Sequence, residues 1–429
     1  MRILKWWTVV RDSLWFIPAI WVVASAVLAL VMVGIDHATP DVVADFPLVF
    51  GGGVDGARGL LSSIAGSMIT VAGVTFSITV VALQLASSQF SPRVLRNFMR
   101  DRSSQVVLGA FIGSFAYAIL VLRSIRGGQD GAEPFVPSVA VTVGILLALL
   151  AMGMFVFFIH HIASRIQLSS IVANIADETT DKVRREWTLE APDGGPAELP
   201  AEPPNRIAAQ GSGYLQLVDE EGLKRIATDR DLVLRLDVKP GAWAQQDAPL
   251  FSVWPAAAAR GDDLTDQLQA HVSLGAQRSI EVDAAFGIRQ LVDVALKAIS
   301  PGINDPTSAA DCVVRLGQIL VAAGRRHHPP TVHRDDGGQL RLVVPRDDWP
   351  ALVGVAFDQL RQYGAGNVDT AIAMARTLGT IATAVPRERH APLLDQLELV
   401  RLALVDITPP EDRARVARAV EHAVDAARA

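Results

Sequence analysis

A short polar loop, SPGINDP at residues 300–306, carries the side chains best placed to hold a ligand. Asn304, Asp305 and Ser308 offer oxygens that could bind a cation or a small ligand at a helix N-terminus. The same loop has a structural explanation, because its first proline and glycine end one helix while Asp305 and the next proline begin another. The structural role is the commoner one for these residue types, and carboxylates are too few to predict a metal site.

Three histidines form the second group with possible chemistry: His327, His328 and His333, in RRHHPPTVHRDD. Imidazole is a frequent transition-metal ligand, but this spacing matches no familiar ligand frame. Solvated side chains in a polar loop are the more common outcome. We therefore predict no metal site and no cofactor.

Catalytic motifs are missing from the sequence. It contains no GxSxG, no Walker loop, no CxxC and no HExxH, so we do not expect an enzyme. The single cysteine, Cys312, allows no intramolecular disulfide. The net charge of -6 and the lack of a basic tract argue against nucleic acid as a partner.

A third set of polar residues lies in a stretch of 34 residues, 59–92, that has no charged side chain. This length exceeds the ~20 residues that cross a bilayer. Several of its polar residues recur at intervals of about seven residues, so they fall on one stripe of a helix. The polar residues at the end of the stretch extend this stripe. The polar members of this stripe are Ser63, Ser67, Thr70, Ser77, Gln84 and Ser88, and Val74 and Val81 complete the face.

Two interpretations of the stripe remain open. Small and hydroxylated residues let neighbouring membrane helices approach closely and hydrogen-bond, which is their commoner use. Alternatively, the stripe lines a path for ions or small solutes, since hydroxyls in lipid lose their water partners. One stripe cannot enclose a path, so the second interpretation requires a symmetric homo-oligomer.

Four apolar runs place this stripe in a membrane domain at residues 1–165. Half of the whole chain is hydrophobic, and the long apolar runs are confined to this part. The first run is flanked by tryptophans, as in a retained anchor. The start of the second could be re-entrant or interfacial because the run is so long. We predict spans near 14–33, 64–85, 106–122 and 135–160.

Basic residues predict the orientation of these spans in the lipid bilayer. Arg2, Lys5 and Arg11 precede the first span, four arginines follow the second, and the connection after the first is acidic. We therefore expect an inner-membrane protein with both termini in the cytoplasm.

The remaining sequence predicts a cytoplasmic α+β portion. Helical spacing continues through a connecting helix at 166–190, and a Pro/Gly/Ala-rich linker follows at 191–212. Alternating residues at 213–255 predict a small β domain, and 262–429 is mainly helical. The segment 213–253, with its PG turn and PL-type strand, resembles the biotinyl/lipoyl-type barrel-sandwich fold. It has no lysine where carriers of that type are modified.

Two further motifs carry a resemblance across nearly the whole chain. QLASSQFSPRVL at 84–95 and ALKAISPGINDPTSAADC resemble an uncharacterised family of predicted bacterial membrane proteins, a domain of unknown function. The resemblance implies four spans and a large cytoplasmic portion, and it supplies no substrate.

The sequence favours an oligomeric channel for ions or small solutes, lined by the second span and gated by the cytoplasmic domain. The alternative is a membrane-anchored sensor or scaffold without a pore, whose cytoplasmic domain binds a ligand or partner. Replacing Ser77 with a larger hydrophobe would separate the two hypotheses.

Overall fold

The computed structural model describes residues 15–38, 49–89, 102–127, 134–165, 168–190, 197–257, 262–280 and 282–428. The chain divides into two compact units, Met1–Gln167 and Leu168–Ala429. The first is a helical bundle and the second contains both sheets and helices. This is the predicted fold class, an α-helical membrane domain followed by an α+β portion.

Four long apolar helices form the first unit, and each is long enough to cross a membrane. They are α1 (Phe16–Ala38), α2 (Val54–Gln89), α3 (Arg102–Ser124) and α4 (Ser138–Arg165). Each of the four predicted spans overlaps one of these helices. Most of the basic residues that predict the orientation lie outside the described residues, and so does the FSPR part of the QFSPR motif.

The second helix is longer than predicted. It runs without a break for 36 residues from Val54, so the start of the run is not a re-entrant segment. At 1.5 Å per residue it is about 54 Å long, well beyond the ~30 Å of hydrocarbon in a bilayer. No proline or charged residue interrupts the run after Arg58, which explains the continuous helix.

Helix α3 lies at the centre of the bundle and contacts the other three helices. Its GxxxG pair brings it close to α1, because a Cβ on Gly109 would lie 2.6 Å from Trp21 Cδ1. A Cβ on Gly113 would likewise lie 2.6 Å from Ser25 Oγ. The close-packing face that this motif predicts is therefore used within one chain.

Eight strands in the second unit form two open sheets. The strands are β1 (Asn205–Ala208), β2 (Gly213–Val218), β3 (Val233–Leu236), β4 (Trp243–Ala244), β5 (Pro249–Trp254), β6 (Val272–Gly275), β7 (Val332–Arg334) and β8 (Leu340–Val343). One sheet has the order β1-β5-β3-β8-β7 and the other β4-β2-β6. Neighbouring strands are antiparallel, except that β3 and β8 are parallel.

Two details of the predicted β domain change. The strands of 213–253 are divided between the two sheets and do not close into a barrel, although both sheets contribute to one hydrophobic core. The predicted linker at 191–212 contains β1, whose Ile207 is buried against β5. Four residues are too short a run for alternation alone to reveal.

Helices make up the rest of the second unit: α5 (Leu168–Glu186), α6 (Glu220–Asp229), α7 (Asp262–Ala270), α8 (Ala284–Ala298), α9 (Pro306–Gly324), α10 (Trp349–Gly364), α11 (Val368–Ala384), α12 (Ala391–Leu402) and α13 (Pro410–Arg428). Short 3-10 turns lie at Arg387–Arg389 and Ala403–Asp406. Helix α5 packs against α8 and α9. Residues 166 and 167, where a connecting helix would join α4, lie outside the described residues.

Candidate functional site on the second membrane helix

The predicted stripe lies on the face of α2 that points away from the other membrane helices. The side chains of Ser63, Ser67, Thr70, Ser77 and Gln84 are all exposed. The opposite face carries Leu61, Ala65, Met68, Ala72 and Thr75 and is buried in the bundle. Ser88 belongs to the same helix, and its side chain lies outside the described residues. One chain thus brings the stripe together as a surface and does not enclose it.

The hydroxyl groups of the stripe are bonded to the helix itself. Ser63 Oγ donates to the Gly59 carbonyl and Thr70 Oγ1 to the Gly66 carbonyl, each at 2.8 Å. Ser77 Oγ donates to the Gly73 carbonyl at 2.9 Å. These bonds satisfy the hydroxyl donors, so the donors themselves do not require water or protein. The case for a partner rests instead on the shape of this face.

Glycines give the stripe a groove-like shape. Gly59, Gly66 and Gly73 recur every seven residues, each four residues before a back-bonded hydroxyl. A Cβ added to any of the three would meet nothing within 4 Å. The space at the two GxxxG glycines of α3 is already filled by α1, whereas Gly59, Gly66 and Gly73 of α2 have no such neighbour among the described residues. The face is therefore free to receive another helix.

The other outward membrane faces have a different composition. Helix α1 exposes Val23 and Leu30, and α4 exposes Leu149 and Val156, each more than half accessible. Large aliphatic side chains of this kind suit lipid. On α2, the exposed Phe76 lies to one side of the stripe, and the exposed Val74 and Val81 lie among its polar residues. The small, polar stripe is thus distinct from the surfaces suited to lipid.

A buried carboxylate that the sequence analysis did not identify joins α1 to α4. Asp36 is 6% exposed, and its two oxygens accept hydrogen bonds from the N–H groups of Val139 and Ala140, both at 2.9 Å. The Asp36 side chain therefore caps the α4 N-terminus by accepting from N–H groups that have no partner within the helix. Tyr117, fully buried, donates to the Ala140 carbonyl at 2.8 Å. In the sequence, the signal that could have identified Asp36 is the presence of an aspartate at the end of an apolar run.

In the second unit, the SPGINDP loop has the helix-capping geometry. Asp305 Oδ1 accepts from the Ser308 N–H at 3.0 Å, and Asp305 Oδ2 accepts from the Ser308 hydroxyl at 2.5 Å. These hydrogen bonds lower the pKa of the Asp305 carboxyl below its usual value. Asn304 is exposed with a φ of 51°, a left-handed conformation that asparagine tolerates. Capping of α9 accounts for the aspartate and the serine.

The three histidines have separate partners. His327 pairs through its backbone with Thr188, and the His328 ring lies edge-on to Trp187. His333 Nε2 lies 3.1 Å from Glu220 Oε2. Within the described ranges, no group of three or more His, Cys, Asp or Glu residues is arranged for a metal ion.

Glu220 is the centre of a charged cluster at the start of α6. Glu220 Oε1 lies 2.5 Å from Arg346 Nη2, and the other carboxylate oxygen, Oε2, is the one that faces His333. Burial raises the pKa of the Glu220 carboxyl, but His333 and Arg346 outweigh that effect, and the pKa lies below its usual value. This cluster connects α6 to β7 and to the segment after β8.

Comparison with known proteins agrees with the membrane domain. A family described as predicted membrane protein (DUF2254) matches residues 11–380. The chain belongs to the DUF2254 family. DUF2254 relatives include uncharacterized proteins of Mycobacterium bovis and Mycobacterium tuberculosis, each 33% identical over 386 residues. The similarity covers 88% of this chain and 74% of each relative. No solved structure matches the chain.

Proposed function

We propose that this DUF2254 protein is the subunit of a homo-oligomeric channel for ions or small solutes, with α2 innermost and lining the path. The observation that carries the proposal is the contrast between outward faces. Helices α1 and α4 expose large aliphatic side chains, whereas the outward face of α2 combines Val74 and Val81 with glycines, hydroxyls and the Gln84 amide. A face of this kind suits contact between copies better than contact with lipid.

The polar groups supply the chemistry of a path. The hydroxyls of Thr70 and Ser77 donate to their own helix, but each oxygen retains lone pairs that accept from water or meet a cation. Gln84 adds an amide with two donors and an acceptor towards the end of the span. Such groups replace part of the hydration of a passing ion. The protein would act without catalysis.

A scaffold or sensor is the second candidate, and the back-bonded hydroxyls favour it. Because these donors are satisfied within α2, the stripe needs no water, and the open glycines permit direct helix contact. In that case copies pack through α2 without a path, and the second unit binds a ligand or partner. The SPGINDP loop, with exposed Asn304 beside the Asp305 cap, is a candidate binding site for such a ligand.

The basic residues near α1 and α3 support an inner-membrane orientation with both termini in the cytoplasm. The second unit would then be cytoplasmic and would gate the path through α4 and α5. Protease protection in inverted and right-side-out vesicles tests the orientation. Digestion of the second unit only in inverted vesicles supports the proposal, and digestion in right-side-out vesicles contradicts it.

Ion flux into liposomes tests the channel. Ser77→Leu and Gln84→Leu should lower flux while the oligomer persists, because each places a bulky apolar group in the path. Gly153→Leu is the matched control, since Gly153 is also exposed on a membrane helix with nothing within 4 Å of a Cβ. Absence of flux from a stable wild-type oligomer would overturn the channel and leave the scaffold.

A further inference from the structure

A basic groove in the second unit is unrelated to the membrane stripe. It lies between α11 and α13 and has a volume of about 730 Å³. The basic residues lining it are Arg376, Arg415, Arg418 and His422. A groove of this size accommodates a small organic ligand.

The two helices build the groove through their small residues. A Cβ on Gly379 would lie 3.0 Å from Ala423 Cβ, so the backbones of α11 and α13 are close at the floor. Arg376 lies one turn before Gly379, and Arg418 lies just over one turn before Ala423. Long basic side chains therefore line a floor of glycine and alanine.

The charge of the groove is unbalanced. Within the described range 282–428, no carboxylate is among its lining residues. Arg415 has an ion pair with Asp412 at 3.0 Å, whereas Arg376 and Arg418 have no ion-pair partner among the described residues. The whole chain is acidic, with a net charge of -6, so its overall composition does not explain the cluster. Like charges in one groove repel one another unless an anion lies between them.

We propose that this groove binds a phosphate-bearing anion with an apolar portion. Guanidinium groups match phosphate oxygens through paired N–H donors, and Arg376 and Arg418 are available for this. Ile372 and Ala426 also line the groove and offer apolar contact to the rest of the ligand. The site adds to the membrane function and does not depend on it. Helix α13 lies beyond residues 11–380, so the family match does not include this wall.

Binding of inorganic pyrophosphate to the full chain in phosphatidylcholine nanodiscs tests the proposal. Titration calorimetry should show saturable binding, and Arg376→Gln and Arg418→Gln should each weaken it roughly tenfold or more. Arg401→Gln is the matched control, because Arg401 is exposed and pairs with Glu398 away from the groove. Both groove variants should unfold at or above the wild-type temperature, because they remove repulsion.

A second arm separates a soluble ligand from a lipid headgroup. The same nanodiscs are mixed with vesicles of phosphatidylcholine, with and without phosphatidylglycerol, and recovered by flotation. Pyrophosphate binding that the groove variants weaken supports a soluble ligand. Flotation that occurs only with vesicles containing phosphatidylglycerol, and that the groove variants weaken, supports a lipid headgroup. The proposal is overturned if neither probe binds, or if binding is the same in Arg376→Gln, Arg418→Gln and wild type.

Discussion

At the scale of single residues, the carboxylates with most structural consequence are buried or capping groups. Asp36 and Glu220 bind groups from distant parts of the chain, whereas Asp305 binds the N–H and hydroxyl of nearby Ser308. The sequence predicted the Asp305 cap because the signal is local, an Asp-Pro pair before a helical pattern. It did not predict Asp36 or Glu220, whose partners are about a hundred residues away. Pairing at that separation depends on the fold.

Removing the Asp36 carboxylate should destabilise the membrane domain. Asp36→Ala leaves the N–H groups of Val139 and Ala140 without their acceptor, at a cost of about 2 kcal/mol. Asp36→Asn keeps one acceptor oxygen and should therefore lose less stability than Asp36→Ala. Thermal unfolding in detergent measures both variants. Equal unfolding temperatures for Asp36→Ala and wild type would contradict the capping role.

Stability should depend on pH through Glu220. Its folded pKa is depressed, so the ionised form stabilises the fold above the unfolded pKa of about 4.3, and this contribution disappears as pH falls through the folded pKa. Glu220→Gln should cost about 2 kcal/mol at pH 7, because it leaves His333 and Arg346 without their anion.

Denaturant unfolding at several pH values measures this effect. The difference between Glu220→Gln and wild type should shrink below about pH 4. Glu221→Gln is the control, since Glu221 is exposed and pairs only with nearby Lys224 among the described residues. A difference independent of pH, or an equal effect in Glu221→Gln, would contradict the role of the charged cluster.

At the scale of elements, the long apolar helices and most of the longer strands could be predicted, and the pairing of the strands into sheets could not. Twenty uncharged residues mark a span without reference to the rest of the chain. Strand β3 pairs with β8 across about a hundred residues, and β1 has only four residues, so neither the pairing nor β1 has a local signal. The same limit applies to α2: its stripe was readable, but which face is buried depends on α3.

The packing of α1 on α3 should be sensitive to Gly113. In Gly113→Val the Cβ would lie 2.6 Å from Ser25 Oγ and 3.2 Å from the Trp21 carbonyl oxygen, and backbone cannot move away cheaply. We expect the free energy of unfolding, measured in detergent, to fall by about 2 kcal/mol. Gly153→Val, where the Cβ meets nothing, is the control with the same change of residue. Equal losses would indicate a helix-propensity effect and not packing.

At the scale of the whole molecule, the account depends on what covers α2. A single chain presents Gly66, Thr70, Gly73 and Ser77 on an outward face that neither α3 nor α4 covers. Channel and scaffold both require that copies meet there, and they differ only in whether water remains between them. Contact between copies is therefore the central claim.

Cross-linking in native membranes is the most direct test. The natural thiol does not interfere, because Cys312 is fully buried and burial raises its pKa to about 12. Thr70→Cys and the control Gly153→Cys each add one thiol on an outward helix face, and a short bis-maleimide linker is applied. We predict covalent multimers for Thr70→Cys and monomers for Gly153→Cys. Monomers at Thr70, or equal multimers at both positions, would contradict an assembly through α2.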